Sequence, residues 1–120
     1  MVSIVVPAHN EAQVVGRLLR RILSPAGPDD PDGQDGQDGL DVVVVANGCT
    51  DGTAEVAASF GPPVRVVSIP VASKLQALAE GNRAATGFPR LYVDADVELG
   101  AGDVRALAEA RLQPASAHAG

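Results

Sequence analysis

Cysteine occurs once in the 120 residues, at Cys49, so no disulfide can form within the chain. Tryptophan is absent, and the aromatic residues are Phe60, Phe88 and Tyr92. A core built on large rings is therefore excluded. The alternative is small and β-branched side chains, which suit helices packed closely on a valine-rich sheet. No run approaches the roughly 20 apolar residues of a membrane-spanning helix. The opening segment, Met1-Val2-Ser3-Ile4-Val5-Val6-Pro7, has no basic stretch and an apolar run only one strand long. It does not read as a signal peptide. A cytoplasmic location is expected, with peripheral membrane or homo-oligomer contact left open. Nor is there a basic stripe, so nucleic acid is not an expected partner.

What is present points to one globular domain. Apolar residues make up 46% of the chain, too many for a disordered polymer. A chain this long can bury roughly two-thirds of the surface it exposes when unfolded. The net charge of -6 is unevenly spread: Asp29, Asp30, Asp32, Asp35, Asp38 and Asp41 account for it, and the other nine acids match nine bases. Residues 24–39 contain only Ser, Pro, Ala, Gly, Asp and Gln. Nothing there can anchor a core, so a flexible acidic loop is expected at 27–39. Its aspartates lack the ligand pattern and closing glutamate of a calcium loop. The domain is expected to run from 1 to 114, followed by a disordered tail at 115–120.

Between these segments, strands and helices alternate. Residues 2–6 form an apolar run ended by Pro7. Asn10 can cap the helix that follows, where Val14, Val15, Leu18, Leu19 and Ile22 recur at helical spacing up to about Leu23. Residues 41–46 make a second strand, 53–60 a short helix and 64–69 a third strand. Ser73 and Gln76 suggest a capping box for a helix over 74–86 carrying Leu75, Leu78 and Ala85 and stopping at Gly87. Residues 91–94 make a fourth strand. Asp103 is expected to cap a last helix carrying Val104, Leu107 and Ala108. The order predicts an α/β fold: a Rossmann-like parallel sheet of about four strands with flanking helices. Ligands of such sheets bind beyond the carboxyl ends of the strands. That places the candidate site at residues 7–11, 46–51, 70–74 and 94–96.

The sharpest feature there is Asp94-Ala95-Asp96. In extended backbone, residues two apart point the same way, and two like charges so close call for a cation or proton between them. Hard oxygen ligands suit Mn2+ or Mg2+, whose remaining positions diphosphate oxygens can fill. The plainer reading is one aspartate capping a turn and one on the surface. Pro7 can shape a wall for a planar base or ribose. Glu11 can accept from ribose or base, or simply begin a helix together with Asn10. His9 reads as an exposed turn residue. Asn47 carries both donor and acceptor, and Gly48 and Gly52 permit positive φ. Cys49 reads as a small packed side chain. Lys74 can reach phosphate or base oxygens, or be solvated. Arg83 and Arg90 read as surface charges.

Four segments together resemble family 2 glycosyltransferases of the GT-A fold. They are Val5-Val6-Pro7-Ala8-His9-Asn10-Glu11, Asn47-Gly48-Cys49-Thr50-Asp51-Gly52-Thr53, Lys74-Leu75-Gln76-Ala77-Leu78-Ala79-Glu80-Gly81 and Tyr92-Val93-Asp94-Ala95-Asp96. The resemblance covers residues 2 to about 99. It implies a nucleoside-diphosphate-sugar donor, a divalent metal and transfer to an unknown acceptor hydroxyl with inversion. Pro7, Asn10, Glu11, Asn47, Lys74 and Asp94 would bind the nucleotide sugar, and Asp96 with Asp94 the metal. The turn after the second strand departs from the pattern, with Ala46 and Asn47 where two acids are frequent, which leaves the base open between uridine and guanosine. The family's acceptor half, with its catalytic base, is expected to be missing, so no base is nominated. The alternatives are a non-catalytic nucleotide-binding or regulatory module of the same fold and, behind it, a nucleotidyltransferase. The last would carry a Gly-rich basic loop after the first strand. An exposed apolar edge is expected at the fourth strand.

Overall fold

The computed structural model describes residues 2–23, 40–98, 100, 102–104 and 106. The elements run β1 (Val2–Ala8), α1 (Ala12–Leu23), β2 (Leu40–Asn47), α2 (Thr53–Ala58), β3 (Val64–Ile69), α3 (Lys74–Ala84) and β4 (Arg90–Tyr92). The four strands form one parallel sheet in the order β3-β2-β1-β4. The fold is α/β, as the alternation predicts. The acidic loop at 27–39, Leu107, Ala108 and the tail at 115–120 lie outside the described residues.

Strand alternation divides the core into two layers. Ile4, Val6, Val42 and Val44 face one side, where Val15, Leu18, Leu19 and Ile22 of α1 cover them. Each such buried side chain stabilises by roughly 1.5–3 kcal/mol relative to its exposed state. Val5, Val43 and Val45 face the other side, against Ala77 of α3 and the adjoining Ala85. This second layer is thin. A Cβ on Gly81 would overlap Val5 Cγ1 and lie 3.1 Å from Val45 Cγ2. The missing side chain therefore sets how near α3 comes to the sheet.

Several element boundaries differ from the sequence expectation, each for a physical reason. β1 continues through Pro7 to Ala8, with Pro7 opposite Val45 of β2. Ser3 N donates to Pro89 O, while β4 pairs only with Ser3–Val5. The N–H that Pro7 lacks falls beyond that pairing, so its absence costs the ladder nothing. Leu75 was expected on the buried face of α3 but is 79% exposed. The face of α3 that meets the sheet carries Ala77, Leu78 and Gly81, and Leu75 lies off that face. Ser73 Oγ does cap α3, accepting from Gln76 N at 3.2 Å. Asp103 does not precede the last helix, because residues 102–104 are already helical and its Oδ2 accepts from Gly100 N. Val104 there is buried in the α1-side core.

α3 also ends early, at Ala84 rather than Thr86, because Asp41 captures the residues that follow. Asp41 Oδ2 accepts from Thr86 N at 3.0 Å, Thr86 Oγ1 at 3.1 Å and Ser3 Oγ at 2.9 Å. Ser3 Oγ in turn accepts from Gly87 N at 2.8 Å. Arg65 donates to both Asp41 oxygens and, through Nη2, to Ala84 O at 2.8 Å. Asp41 thus lies in β2, as the sequence places it, but its charge is buried and paired and does not belong with the aspartates of the acidic loop. Arg90 is likewise more than a surface charge. It donates to Ala85 O and to Asn82, and stacks 4.4 Å from the centre of the Phe88 ring. β4 closes one edge of the sheet among the described residues, and Phe88, Tyr92 and Val97 near it are exposed.

Two tests follow from this packing. Gly81→Ala is expected to lower unfolding stability by about 1–3 kcal/mol, measured by urea titration, whereas Gly102→Ala, with open space around it, should cost less. Burial pushes the Asp41 carboxyl up, but the bonds from Thr86, Ser3 and Arg65 outweigh it and hold the group below its ordinary 3.8. Its stabilising contribution is complete above that value and is lost as pH falls below it through the folded-state value. Asp41→Asn should cost about 1.5–3 kcal/mol at pH 7 and flatten the acid limb of stability against pH; an unchanged acid limb would show that Asp41 carries no such linkage.

Candidate functional site

The α3-side layer does not stop where the apolar residues stop. Val5 is followed on the same side of β1 by Pro7 and His9, and Val43 and Val45 on β2 by Asn47. At the carboxyl ends of the strands this layer opens into a cleft of about 260 Å³ lined by Pro7, His9, Glu11, Asn47, Lys74, Asp94, Ala95 and Asp96. Six of these residues, Pro7, Glu11, Asn47, Lys74, Asp94 and Asp96, are ones the sequence singled out. They come from segments up to 89 positions apart in the chain and meet because the sheet is parallel.

The walls are held by polar ties between loops. Asn10 adopts a φ of 52°, a left-handed conformation that asparagine tolerates better than most residues. From there its Oδ1 accepts from Thr50 N at 2.7 Å and Asp51 N at 3.3 Å. Asp51 accepts from Thr53 N, Thr53 Oγ1 and Ala12 N, so one carboxylate serves the first turns of α1 and α2 together. The Thr53 hydroxyl, with the N–H donors of Thr53 and Ala12, holds the Asp51 carboxyl below its ordinary value against the opposing effect of desolvation. Thr53 Oγ1 accepts from Glu11 N at 2.9 Å. Gly48 has a φ of 60°, and a Cβ there would lie 2.7 Å from Ala72 N. Only glycine lets the β2–α2 loop pass this close to the β3–α3 loop.

Asn10 is therefore a tie between loops and does not line the cleft. Asn47 lines it but is 4% exposed, and its amide nitrogen donates inward to Ala8 O at 3.0 Å and Val45 O at 3.4 Å. His9, expected as a plain turn residue, also lines the cleft, with Nδ1 2.7 Å from Asn47 O. Its position two residues after Pro7 and two before Glu11 is the signal that would have found it. Cys49 packs among Ala8 O, Asn10 N and Asn47 O.

On the opposite wall, Val93 N donates to Val5 O at 2.9 Å and fixes the chain leaving β4. Asp94, Ala95 and Asp96 were expected in extended backbone. They form a turn instead, with Val97 N donating to Asp94 O at 3.1 Å and Ala95 buried. Ala95 packs into the α1-side core, while the carboxylates on either side of it stay exposed at the cleft. Lys74 Nζ lies 2.7 Å from Asp94 Oδ1. The Asp94 carboxylate raises the Lys74 pKa above its ordinary 10.5, with Asp96 and Glu11 adding to it. Lys74 is thus a fixed cation among three acids.

Asp94 and Asp96 supply hard oxygen donors, and no cluster of three or more acidic, His or Cys side chains suited to a metal occurs among the described residues. Magnesium-type ions are commonly held by one or two carboxylates with phosphate oxygens and water completing the shell. This donor set fits an ion shared with a diphosphate and does not fit a cage made by protein alone.

The four-stranded parallel sheet with flanking helices, open at the carboxyl ends of its strands, defines an α/β domain of the GT-A type. The chain matches the model of glycosyl transferase family 2 over residues 3–118 and belongs to that family. Among solved structures it is similar to TarS 1–349 of S. aureus, with a TM-score of 0.75 and 19% identity over 91% of this chain and 31% of that one. A second is the mannosyltransferase PcManGT from Pyrobaculum calidifontis in complex with GDP-Man and Mn2+, with a TM-score of 0.73 and 31% identity over 94% of this chain and 32% of that one. A third is TarS 1–349 in complex with UDP-GlcNAc, with a TM-score of 0.72 and 21% identity over 91% and 30%. The chain spans about a third of the length of these structures. No curated protein sequence matches it.

The loop ties make a graded prediction. Asn10→Ala loses the bonds to the β2–α2 loop and places alanine at a positive φ, whereas Asn10→Gly loses only the bonds. Alanine is expected to be the more destabilising by about 1 kcal/mol in thermal or urea unfolding, and equal losses would show that the φ value carries no cost.

Proposed function

We propose that this chain binds the nucleoside diphosphate of a sugar donor, together with Mn2+ or Mg2+, and so forms the donor side of a metal-dependent, inverting glycosyltransferase. The observation that carries this reading is the meeting of Pro7, Glu11, Asn47 and Lys74 with the Asp94–Asp96 turn in one cleft of a family 2 domain. Pro7 and Glu11 would flank the nucleoside, Glu11 accepting from a ribose or base donor. Asn47 would meet the base, and Asn10 would act indirectly, by holding the loop that presents it. Lys74 would lie against the diphosphate and Asp94 against the ribose or sugar, with Asp96 the main metal ligand. A bound ion would neutralise the charge that grows on the departing nucleoside diphosphate. Lys74 would add a second positive charge there without a change of protonation. The acceptor hydroxyl and the carboxylate that deprotonates it would belong to parts of the enzyme beyond this cleft.

A second reading is a nucleotide-binding module that transfers nothing. It is favoured by one observation: the cleft's carboxylates are Glu11, Asp94 and Asp96, and the donor reading uses all three, leaving none to act as base. The two readings share the same binding site.

Calorimetric titration with UDP and GDP, with and without manganese, tests the site. Binding is expected for at least one nucleotide, to strengthen with manganese, and to lose that strengthening in Asp96→Ala while the fold is kept. Binding that ignores both manganese and Asp96 would refute the metal assignment. Failure of both nucleotides to bind would refute the donor site.

A further inference from the structure

Resting on the donor reading above, we infer that the nucleoside end of the cleft selects guanine over uracil, with His9 as the specificity-determining residue. The wall formed by Pro7, His9, Glu11 and Asn47 offers hydrogen-bond acceptors and almost no donors. The reason lies in where each donor already points.

Asn47 donates its amide hydrogens to Ala8 O and Val45 O. Carbonyls only accept, so the amide cannot be turned the other way. No buried side-chain polar atom lacks a partner among the described residues. Asn47 Oδ1 therefore opens on the cleft that the residue lines. His9 follows the same logic. Its Nδ1 faces Asn47 O at 2.7 Å, so Nδ1 carries the proton. In the neutral ring, Nε2 is then an acceptor, and it is the ring's remaining polar atom for the cleft. Glu11 adds a carboxylate, of which Oε1 takes His9 N at 3.1 Å.

Backbone donors do not fill the gap. Pro7 has no N–H. His9 N goes to Glu11, Asn10 N to Cys49 Sγ, and Gly48 N to Ile69 O. The ammonium of Lys74 sits with Asp94, on the opposite wall. A base held by this wall must bring donors of its own.

Guanine does so with two adjacent donors, N1–H and the exocyclic amino group, on one edge. Uracil presents a single N3–H between two carbonyls. Against acceptors only, those carbonyls meet oxygens and nitrogen lone pairs, with no hydrogen between them. A site built from fixed polar groups rejects a ligand that cannot pair with them far more strongly than an apolar pocket rejects a change of shape.

The test is calorimetric titration of the full 120-residue chain with GDP, IDP and UDP in the presence of manganese. GDP is expected to bind about tenfold or more tighter than UDP. It should also bind several-fold tighter than IDP, which lacks only the 2-amino donor. His9→Phe should weaken GDP and leave UDP nearly unchanged, shrinking the ratio between them. UDP binding as tightly as GDP would overturn the base selection and leave the donor site standing. Equal affinity for GDP and IDP would overturn the pairing of the amino group, and it needs no variant to be read. Loss of binding to all three would overturn both the selection and the donor reading.

Discussion

The approach of α3 to the sheet is the contact on which the rest depends, and it is made by a residue with no side chain. Gly81 rests on Val5 and Val45, two β-branched residues of the central strands. At that separation the buried part of the layer is filled by Ala77 and Ala85, with Leu78 and Ala84 partly buried beside them. Near one end of the helix, Asp41 and Arg65 fasten the chain that leaves it. At the other end, the same geometry brings Lys74 to the carboxyl ends of the strands. A looser helix would carry Lys74 away from Asp94.

The site is therefore a continuation of the core layer rather than an addition to it. Along β1 and β2, the α3 side passes from the Ser3–Asp41 pair through Val5, Val43 and Val45 to polar residues at the sheet's carboxyl edge. The loops there are cross-tied by Asn10, Asp51 and Thr53, so the walls are set by hydrogen bonds between segments about 40 residues apart. Polar residues so held are fixed in orientation before any ligand arrives, and that preorganisation favours binding.

Much of this was legible in the sequence because parallel strands announce themselves. The valine run at 42–45 and the valine-rich stretch at 64–67, closed by turn residues, marked β2 and β3 nearly to the residue. The convergence of Pro7, Glu11, Asn47, Lys74, Asp94 and Asp96 followed from topology. The misreadings have a common cause: each turned on a contact between distant residues. Leu75 has a helical period but falls off the face that meets the sheet. Asp41 counts as one more unpaired negative charge until Ser3, Arg65 and Thr86 surround it. Asn10 looks like a helix cap until Thr50 and Asp51 claim its oxygen. His9 is the exposed turn residue expected, and its place on the cleft emerges only when Asn47 O meets its ring. Periodicity sees neighbours along the chain, and these partners lie 24 to 45 positions away, apart from Leu75, where what matters is the sheet.

The arginine clasp at the far end of α3 has an electrical consequence. Arg65 and Arg90 donate to Ala84 O, Ala85 O and Asn82 O, the carbonyls at and just past the helix's last turn. Aligned peptide units give a helix a partial negative charge at that end and a partial positive charge at the other. Two guanidinium groups offset the negative pole, and the positive pole is left at the Lys74 end, beside the cleft. A multiply charged anion entering among Glu11, Asp94 and Asp96 thus meets a field tilted in its favour by eleven oriented peptide residues as well as by one ammonium group.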